Sequence, residues 1–149
     1  MVTEPLKTLF NRDLHQLKTE IELFQKTDHL WAVKNGISNS AGNLCLHLCG
    51  NLQHFFGTVL GDTGYVRQRE REFSTRNMPT PELLREIEEA QKIVNQVLST
   101  LSPSDLQEIY PVSLWNQTFT TEFFIIHLHS HLNYHLGQIN YLRRMLEPA

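Results

Sequence analysis

The sequence predicts an all-α fold, a four-helix bundle, on three observations. Apolar residues recur every three or four positions in four long stretches, which is the spacing of helices that bury one face. The alternation typical of β-strands is weak throughout the 149 residues. Segments with glycine or proline separate the four stretches, and a chain of this length is sufficient for a buried core. We therefore expect a single domain that covers residues 1–149.

The first predicted helix follows Pro5 and shows the clearest apolar stripe of the chain. Charged residues fall off this stripe, as expected for a helix that packs one face into a bundle. The stripe advances in steps of four, four, three, four and three residues, through Leu6, Phe10, Leu14, Leu17, Ile21 and Phe24. The dipeptide Asn35-Gly36 is a strong turn signal, and it predicts the end of this first segment.

The second predicted helix begins near Ser38 or Ser40, which are both good N-terminal caps, and it ends before Gly61. A long connection follows over residues 61–79 and carries charges of both signs. We expect Phe73 to anchor this connection to the rest of the domain. A long connection in a small domain is often functional, although this one also fits a solvated crossover between helices.

The third predicted helix begins at residues 80–82, where Thr-Pro-Glu supplies a cap, a proline in the first turn and an acid near the helix N-terminus. It is expected to run to about Leu101. A second long connection, residues 102–119, is expected to contain short ordered pieces. It leads to the fourth helix, which Thr120 or Thr121 would cap.

The fourth predicted helix carries half of the eight histidines of the chain within nine residues. Residues four apart share a helix face, so His131 and His135 can direct their rings to one point, and so can His127 and His131. Two imidazoles one turn apart can hold a transition metal together with a ligand from another helix. The spacing alone leaves both pairs open.

His47 is the best candidate for a third ligand, because it lies in the middle of the second predicted helix, between Leu44 and Leu48. His54 is a rival or a fourth ligand. Three neutral nitrogens with an open coordination position suit zinc, nickel, cobalt or iron, and they permit activation of water or a thiol. A histidine on an apolar face is also common as a hydrogen-bonded core residue, so the metal site is a hypothesis.

Two amides are placed to support these histidines. Gln138 follows His135 by three residues, so it shares the face of that histidine and could hydrogen-bond a ligand ring. Asn51 lies one turn beyond His47 and could do the same. No carboxylate lies on the histidine stripes as a candidate general base, so the catalytic residues stay unidentified. This pattern favours a nucleophile that is activated by the metal.

Composition and charge exclude several classes of protein. The formal net charge is −3 and no cluster of lysine and arginine is present, whereas a nucleic-acid binder normally shows a basic face. No apolar run is long enough to span a bilayer, and the N-terminus does not resemble a signal peptide. We therefore expect a cytoplasmic protein that binds neither nucleic acid nor membranes.

Two motifs resemble the DinB-like superfamily. The segment from His131 to Gln138, H-x-x-x-H-x-G-Q, resembles its last-helix motif, and the apolar stretch Leu44-Cys45-Leu46-His47-Leu48 resembles its second helix. The resemblance covers essentially the whole chain. It implies a four-helix bundle in which His47, His131 and His135 hold a divalent metal. Zinc or nickel comes first, with iron, cobalt or manganese as alternatives.

The resemblance also implies a function. The superfamily includes damage-inducible bacterial proteins described as metal-dependent hydrolases and as thiol-dependent transferases or isomerases. Some use low-molecular-weight thiols, and homodimers are common among them. We therefore expect a metal-dependent enzyme that activates a thiol or water for transfer to, or hydrolysis of, a small molecule. The alternative is a non-catalytic, dimeric, stress-associated binding bundle in which the metal is structural or absent.

Overall fold

The computed structural model describes residues 1–148, and every regular element in that range is helical. Over the same residues β structure is limited to two isolated bridges, so the all-α fold class is confirmed. None of the described helices is long and apolar enough to cross a lipid bilayer. The elements are seven α-helices and a π-helical continuation of the third, hereafter the π segment: α1 (Thr3–Leu23), α2 (Thr27–Leu30), α3 (Ala41–Leu52), the π segment (Gln53–Leu60), α4 (Arg69–Ser74), α5 (Thr80–Thr100), α6 (Pro103–Gln107) and α7 (Thr121–Leu146).

The long helical segments pack around one core. α1 contacts α5 and α7, and α3 with its π segment contacts the same two helices. The predicted apolar stripe of α1 is buried from Leu6 to Ile21. All twelve residues of α3 are buried, and none of them carries a formal charge at neutral pH. A helix that is buried on all sides lies in the interior, so a residue in the middle of α3 lies inside the fold.

The predicted helix ends agree with the structure at two of the three proposed caps. The Ser40 hydroxyl accepts a hydrogen bond from the Asn43 N–H at 3.1 Å, and Thr120 accepts one from the Phe123 N–H at 3.2 Å. These two contacts satisfy N–H groups that the first helical turn leaves unpaired. Thr80 is instead the first residue of α5, and Pro79 occupies the N-cap position.

Both long connections contain a short helix, α4 in the first and α6 in the second. The short ordered pieces expected in the second connection thus include α6, whereas α4 was not predicted. α4 packs on α3. The residue of α4 that turns inward is Glu72, which is 6% exposed, whereas Phe73 is half-buried. Asn43 fastens this connection, because its side-chain NH₂ group donates to the backbone carbonyls of Glu72 and Thr75, both at 2.9 Å. The side chain that α4 buries is therefore Glu72, one residue before the predicted anchor Phe73.

A buried carboxylate joins α1 to α7. Glu20 accepts hydrogen bonds from Asn140 at 2.6 Å and from the Arg143 guanidinium at 2.7 Å. Burial alone would raise the pKa of Glu20, but these donors outweigh it and hold the pKa below the usual 4.5. A group with a lowered pKa stabilises the fold fully above its unfolded pKa, and that contribution is lost as the pH falls through the folded value.

The replacement Glu20→Gln is expected to lower the free energy of unfolding by about 1–3 kcal/mol at neutral pH, because Arg143 loses its charged partner. The difference between the two proteins should shrink as the pH falls below 4.5 towards the lowered pKa of Glu20. Urea denaturation at a series of pH values measures this difference. Glu22→Gln, an exposed position on the same helix, is the matched control, and equal losses in both variants would contradict the prediction.

Candidate metal centre

Three histidines from two helices meet between α3 and α7. His47 lies in the middle of α3, while His131 and His135 lie one turn apart on α7. The centroid of the His47 ring is 5.0 Å from that of His131 and 5.2 Å from that of His135. One ligand nitrogen from each residue lies within 4.8 Å of the other two. The structure thus brings together the three residues that the family resemblance implied.

The spacing of the nitrogens fits a bound ion. Nε2 of His47 and Nε2 of His131 are 3.1 Å apart. Two nitrogens that each lie 2.0–2.1 Å from a tetrahedral zinc are separated by roughly 3.3 Å. Imidazole nitrogens also suit nickel, cobalt and iron. The three residues could therefore hold a metal ion, and three ligands leave at least one coordination position open.

A buried carboxylate orients His47. Nδ1 of His47 donates to Oε1 of Glu72 at 3.1 Å, which leaves the lone pair of Nε2 to face the α7 histidines. The Arg67 guanidinium donates two hydrogen bonds of 2.9 Å to the same carboxylate. A guanidinium nitrogen of Arg67 also lies 3.3 Å from Nδ1, but Glu72 is the nearer partner and the anionic one.

The charge of Glu72 is retained inside the protein. Burial on its own would raise the pKa of Glu72, but hydrogen bonds from His47 and Arg67 and the positive charge of Arg67 outweigh burial and hold the pKa below its usual value. The carboxylate therefore stays ionised at neutral pH and can keep His47 in one orientation.

Gln138 orients His135 as the sequence predicted. Nδ1 of His135 donates to Oε1 of Gln138 at 2.7 Å, so Nε2 is the free nitrogen of that ring. Asn51 makes no hydrogen bond to His47 within residues 1–148, and its Oδ1 is buried without a partner there. Nδ1 of His131 is likewise buried and unpaired in the described part of the chain. Packing, rather than a hydrogen bond at Nδ1, holds the His131 ring.

The surroundings of His131 and His135 favour uncharged imidazoles. Burial, together with the neighbouring His135 and His47 rings, lowers the pKa of His131 to about 3. Burial also lowers the pKa of His135, against the opposing effect of Gln138. Neutral rings expose the nitrogen lone pairs that metal coordination requires.

The two rival histidines lie outside this group. His127 packs against Trp115, with ring centroids 5.5 Å apart, one turn before His131. His54 follows His47 by seven residues, which is about 10 Å along a helix axis and too far for a shared ion. The His47 ring contacts the rings of both His131 and His135. The pair on α7 that His47 joins is therefore His131 and His135, and not His127 and His131.

Sequence reasoning missed Glu72 and Arg67. Both belong to the first long connection, and Glu72 is 25 residues from His47 along the chain, so no helical periodicity links them. The mixed charges of residues 61–79 were a signal that this segment has a role. They did not show which charge turns inward, because that depends on how the connection lies against α3.

Gly50 makes room for the Glu72 carboxylate. A Cβ atom at residue 50 would overlap Oε2 of Glu72 and lie 2.7 Å from its Cδ. The carboxylate is held by Arg67 and His47, so it cannot move aside and keep both contacts. The absence of a side chain at this position is therefore part of how His47 is oriented.

An open cleft of about 450 Å³ reaches the histidines at His135. One wall is the outer part of α7, and the other is the loop 36–39 that leads to α3. This loop turns at Gly36, whose φ of +83° lies in the left-handed region that glycine adopts readily. The turn predicted at Asn35-Gly36 thus forms a wall beside the candidate metal centre.

Nearly the whole chain matches a known protein family. The family described as "Protein of unknown function (DUF1572)" matches residues 4–149. The chain belongs to the DUF1572 family. No curated protein matches the chain. Because the description of DUF1572 names no activity, the function of this member has to be inferred from the three-histidine group.

In this DUF1572 protein, Glu72→Gln is expected to weaken zinc binding about 10–100-fold, the usual cost of losing a carboxylate that orients a metal-binding histidine. Competition with a chromogenic chelator measures the zinc Kd. Glu70→Gln changes an exposed acid of the same short helix and should leave the Kd unchanged. An unchanged Kd in Glu72→Gln would show that His47 does not depend on this contact.

Gly50→Ala should also weaken zinc binding, although it touches no ligand, because the new methyl group displaces the Glu72 carboxylate. Alanine favours helices by about 0.5–1 kcal/mol over glycine, so the loss cannot come from a weaker helix. Gly137→Ala is the matched control, since a Cβ at that exposed helical position meets nothing within 4 Å. If both variants bind zinc as the wild type does, the proposed role of Gly50 is wrong.

Proposed function

We propose that this chain is a single-domain DinB-like four-helix bundle that uses a divalent ion to activate a thiol or water. The activated group would be transferred to a small molecule or would hydrolyse it. The observation that carries the proposal is the convergence of His47, His131 and His135 beside an open cleft. The packing of α1, α3, α5 and α7 around one core and the H-x-x-x-H-x-G-Q motif support the superfamily. Zinc or nickel is the first choice of ion, followed by iron, cobalt or manganese.

The side chains around the site have separate tasks. A bound divalent ion would supply Lewis-acid chemistry, which lowers the pKa of a coordinated water or thiol. Glu72 and Gln138 would orient two of the three ligand rings. The Phe73 ring packs against the His47 ring, with the ring centroids 4.9 Å apart. Substrate would approach from the cleft at His135.

A second candidate function is metal-dependent ligand binding without turnover. One observation favours it: Glu72, the acid beside the histidines, is already paired with Arg67 and His47. Within residues 1–148 no acidic side chain joins the three-histidine group. A general base would then have to come from the substrate or from solvent, which suits a binding protein as well as an enzyme.

Protein purified without an affinity tag and incubated with zinc or nickel is expected to hold about one ion per chain. His131→Ala should lose the ion, because two imidazoles on two helices do not complete the site. His127→Ala removes a histidine outside the group and should keep it. His129 does not suit as a control, since its ring contacts the buried Asp13 carboxylate at 2.7 Å. Elemental analysis gives the metal content.

The zinc-loaded and nickel-loaded proteins can then be compared with His131→Ala in two assays. One measures hydrolysis of p-nitrophenyl esters, and the other measures transfer of an uncharged low-molecular-weight thiol, N-acetylcysteamine, to monochlorobimane. Turnover that requires the ion supports the enzyme, and a bound ion without turnover in either assay supports the binding protein. A wild type that holds no metal under any condition would contradict the metal-dependent proposal.

We propose a cytoplasmic homodimer whose partner is a small molecule rather than a nucleic acid or a membrane. Light scattering coupled to size-exclusion chromatography, with and without metal, would measure the mass in solution.

A further inference from the structure

We infer that the cleft beside His135 binds a small molecule with an uncharged aromatic or alkyl body and one polar end that reaches the metal centre. This inference rests on the proposed function and specifies the ligand class of the same site. It depends on the chemistry of the cleft walls, on the charges around them and on the surface that they leave open.

The walls of the cleft are apolar or neutral. None of the residues that line it is an aspartate, glutamate, lysine or arginine. Its volume, about 450 Å³, lies within the range of small-molecule sites, about 300–1,000 Å³. The body of a ligand would contact the apolar part of the lining, which consists of Ile37, Leu44, Tyr134, Tyr141, Leu142 and Met145.

Two arginines of α7 near the outer end of the cleft have other partners in the fold. Arg143 is bound to the buried carboxylate of Glu20 at 2.7 Å. Arg144 lies over the ring of Tyr141, 5.4 Å from its centroid, and does not line the cleft. None of the lining residues offers a positive charge, so a carboxylate or phosphate along the walls, away from the ion, would lose water without gaining a charged partner. The walls therefore disfavour a ligand whose body carries a negative charge.

Three large side chains of α7 that line the cleft are exposed. Tyr134 is 66% exposed, Tyr141 is 64% exposed and Met145 is 41% exposed. Their spacing of seven and four residues places them on one face of α7. A contiguous apolar face beside a polar, metal-binding group indicates a site that a ligand covers.

The polar end of the ligand has two partners at the inner end of the cleft. His135 would present the metal, and Gln138 uses its Oε1 for the His135 ring, which leaves the NH₂ group as a donor. A single oxygen, sulfur or nitrogen on the ligand would satisfy both. The site thus fits an aromatic or alkyl molecule with one polar group at its end.

A series of hydroxamic acids tests this ligand class, because they share a metal-binding head and differ in the tail. Acetohydroxamic acid has a methyl tail, benzohydroxamic acid has a phenyl tail, and para-carboxybenzohydroxamic acid adds a charge. Calorimetry with the zinc-loaded wild type should show about tenfold tighter binding of the phenyl compound than of the methyl compound. The added carboxylate should remove most of that gain.

Variants then locate the effect in the cleft. Tyr141→Ala should reduce the preference for phenyl over methyl while the zinc content stays at the wild-type value. Phe123→Ala changes an exposed apolar residue of the same helix outside the cleft and should keep the preference. Equal affinities for phenyl and methyl, or tighter binding of the carboxylated compound, would overturn the inference.

A metal-free experiment separates this inference from the proposed function. Fluorescence titration of β-naphthol into His131→Ala, with folding checked by circular dichroism, reports on the cleft alone. Saturable binding that weakens about tenfold when Tyr141→Ala is added supports the cleft, even where the metal proposal fails. No saturable binding overturns it. Binding that falls as the protein dimerises also overturns it, since the cleft would then be covered by a second copy of the chain.

Discussion

A carboxylate inside a protein needs a partner, and this requirement ties the first long connection to the histidines. Taking an ion out of water costs several kcal/mol unless a counter-charge and hydrogen bonds replace the water. Glu72 meets that condition with two hydrogen bonds from Arg67 and one from His47. The connection must therefore follow a path that brings Arg67 and Glu72 over α3 together. Gly50 permits this path, because its lack of a side chain lets the carboxylate reach the helix.

The packing of α7 supplies the other half of the site. Leu128, Leu132 and Leu136 are buried in the core, and they recur every four residues. His131 and His135 precede two of these leucines by one residue, so they follow the edge of the same buried stripe. The core therefore sets the rotation of α7 about its axis, and the rotation directs both rings towards α3. The site is a consequence of helix packing as well as of residue identity.

The sequence predicted what depends on local spacing. The helix face shared by His131 and His135, the caps at Ser40 and Thr120, and the Asn35-Gly36 turn all follow from neighbouring residues. The choice between the two histidine pairs did not follow from spacing, and the family resemblance was needed to make it.

The remaining features depend on contacts between distant parts of the chain. Glu72 is buried because of residues that lie far from it along the chain, including Asn43 and His47. The π segment could not be predicted either. Apolar residues three and four positions apart fit both an α-helix, in which each N–H group donates to the carbonyl four residues earlier, and a π-helix, in which it donates to the carbonyl five residues earlier. The cleft exists because loop 36–39 approaches α7, and no short-range pattern encodes that approach.

The attachment of α4 has a consequence for how long an ion stays bound. α4 packs on α3, whereas the three imidazoles belong to long helices that share the central core. A brief detachment of α4 would withdraw Glu72 from His47 while the ligands keep their places on α3 and α7. Such sub-global openings need less free energy than complete unfolding. The residence time of an ion held by these histidines would therefore depend on α4, whereas the thermal stability of the protein would depend on the central core.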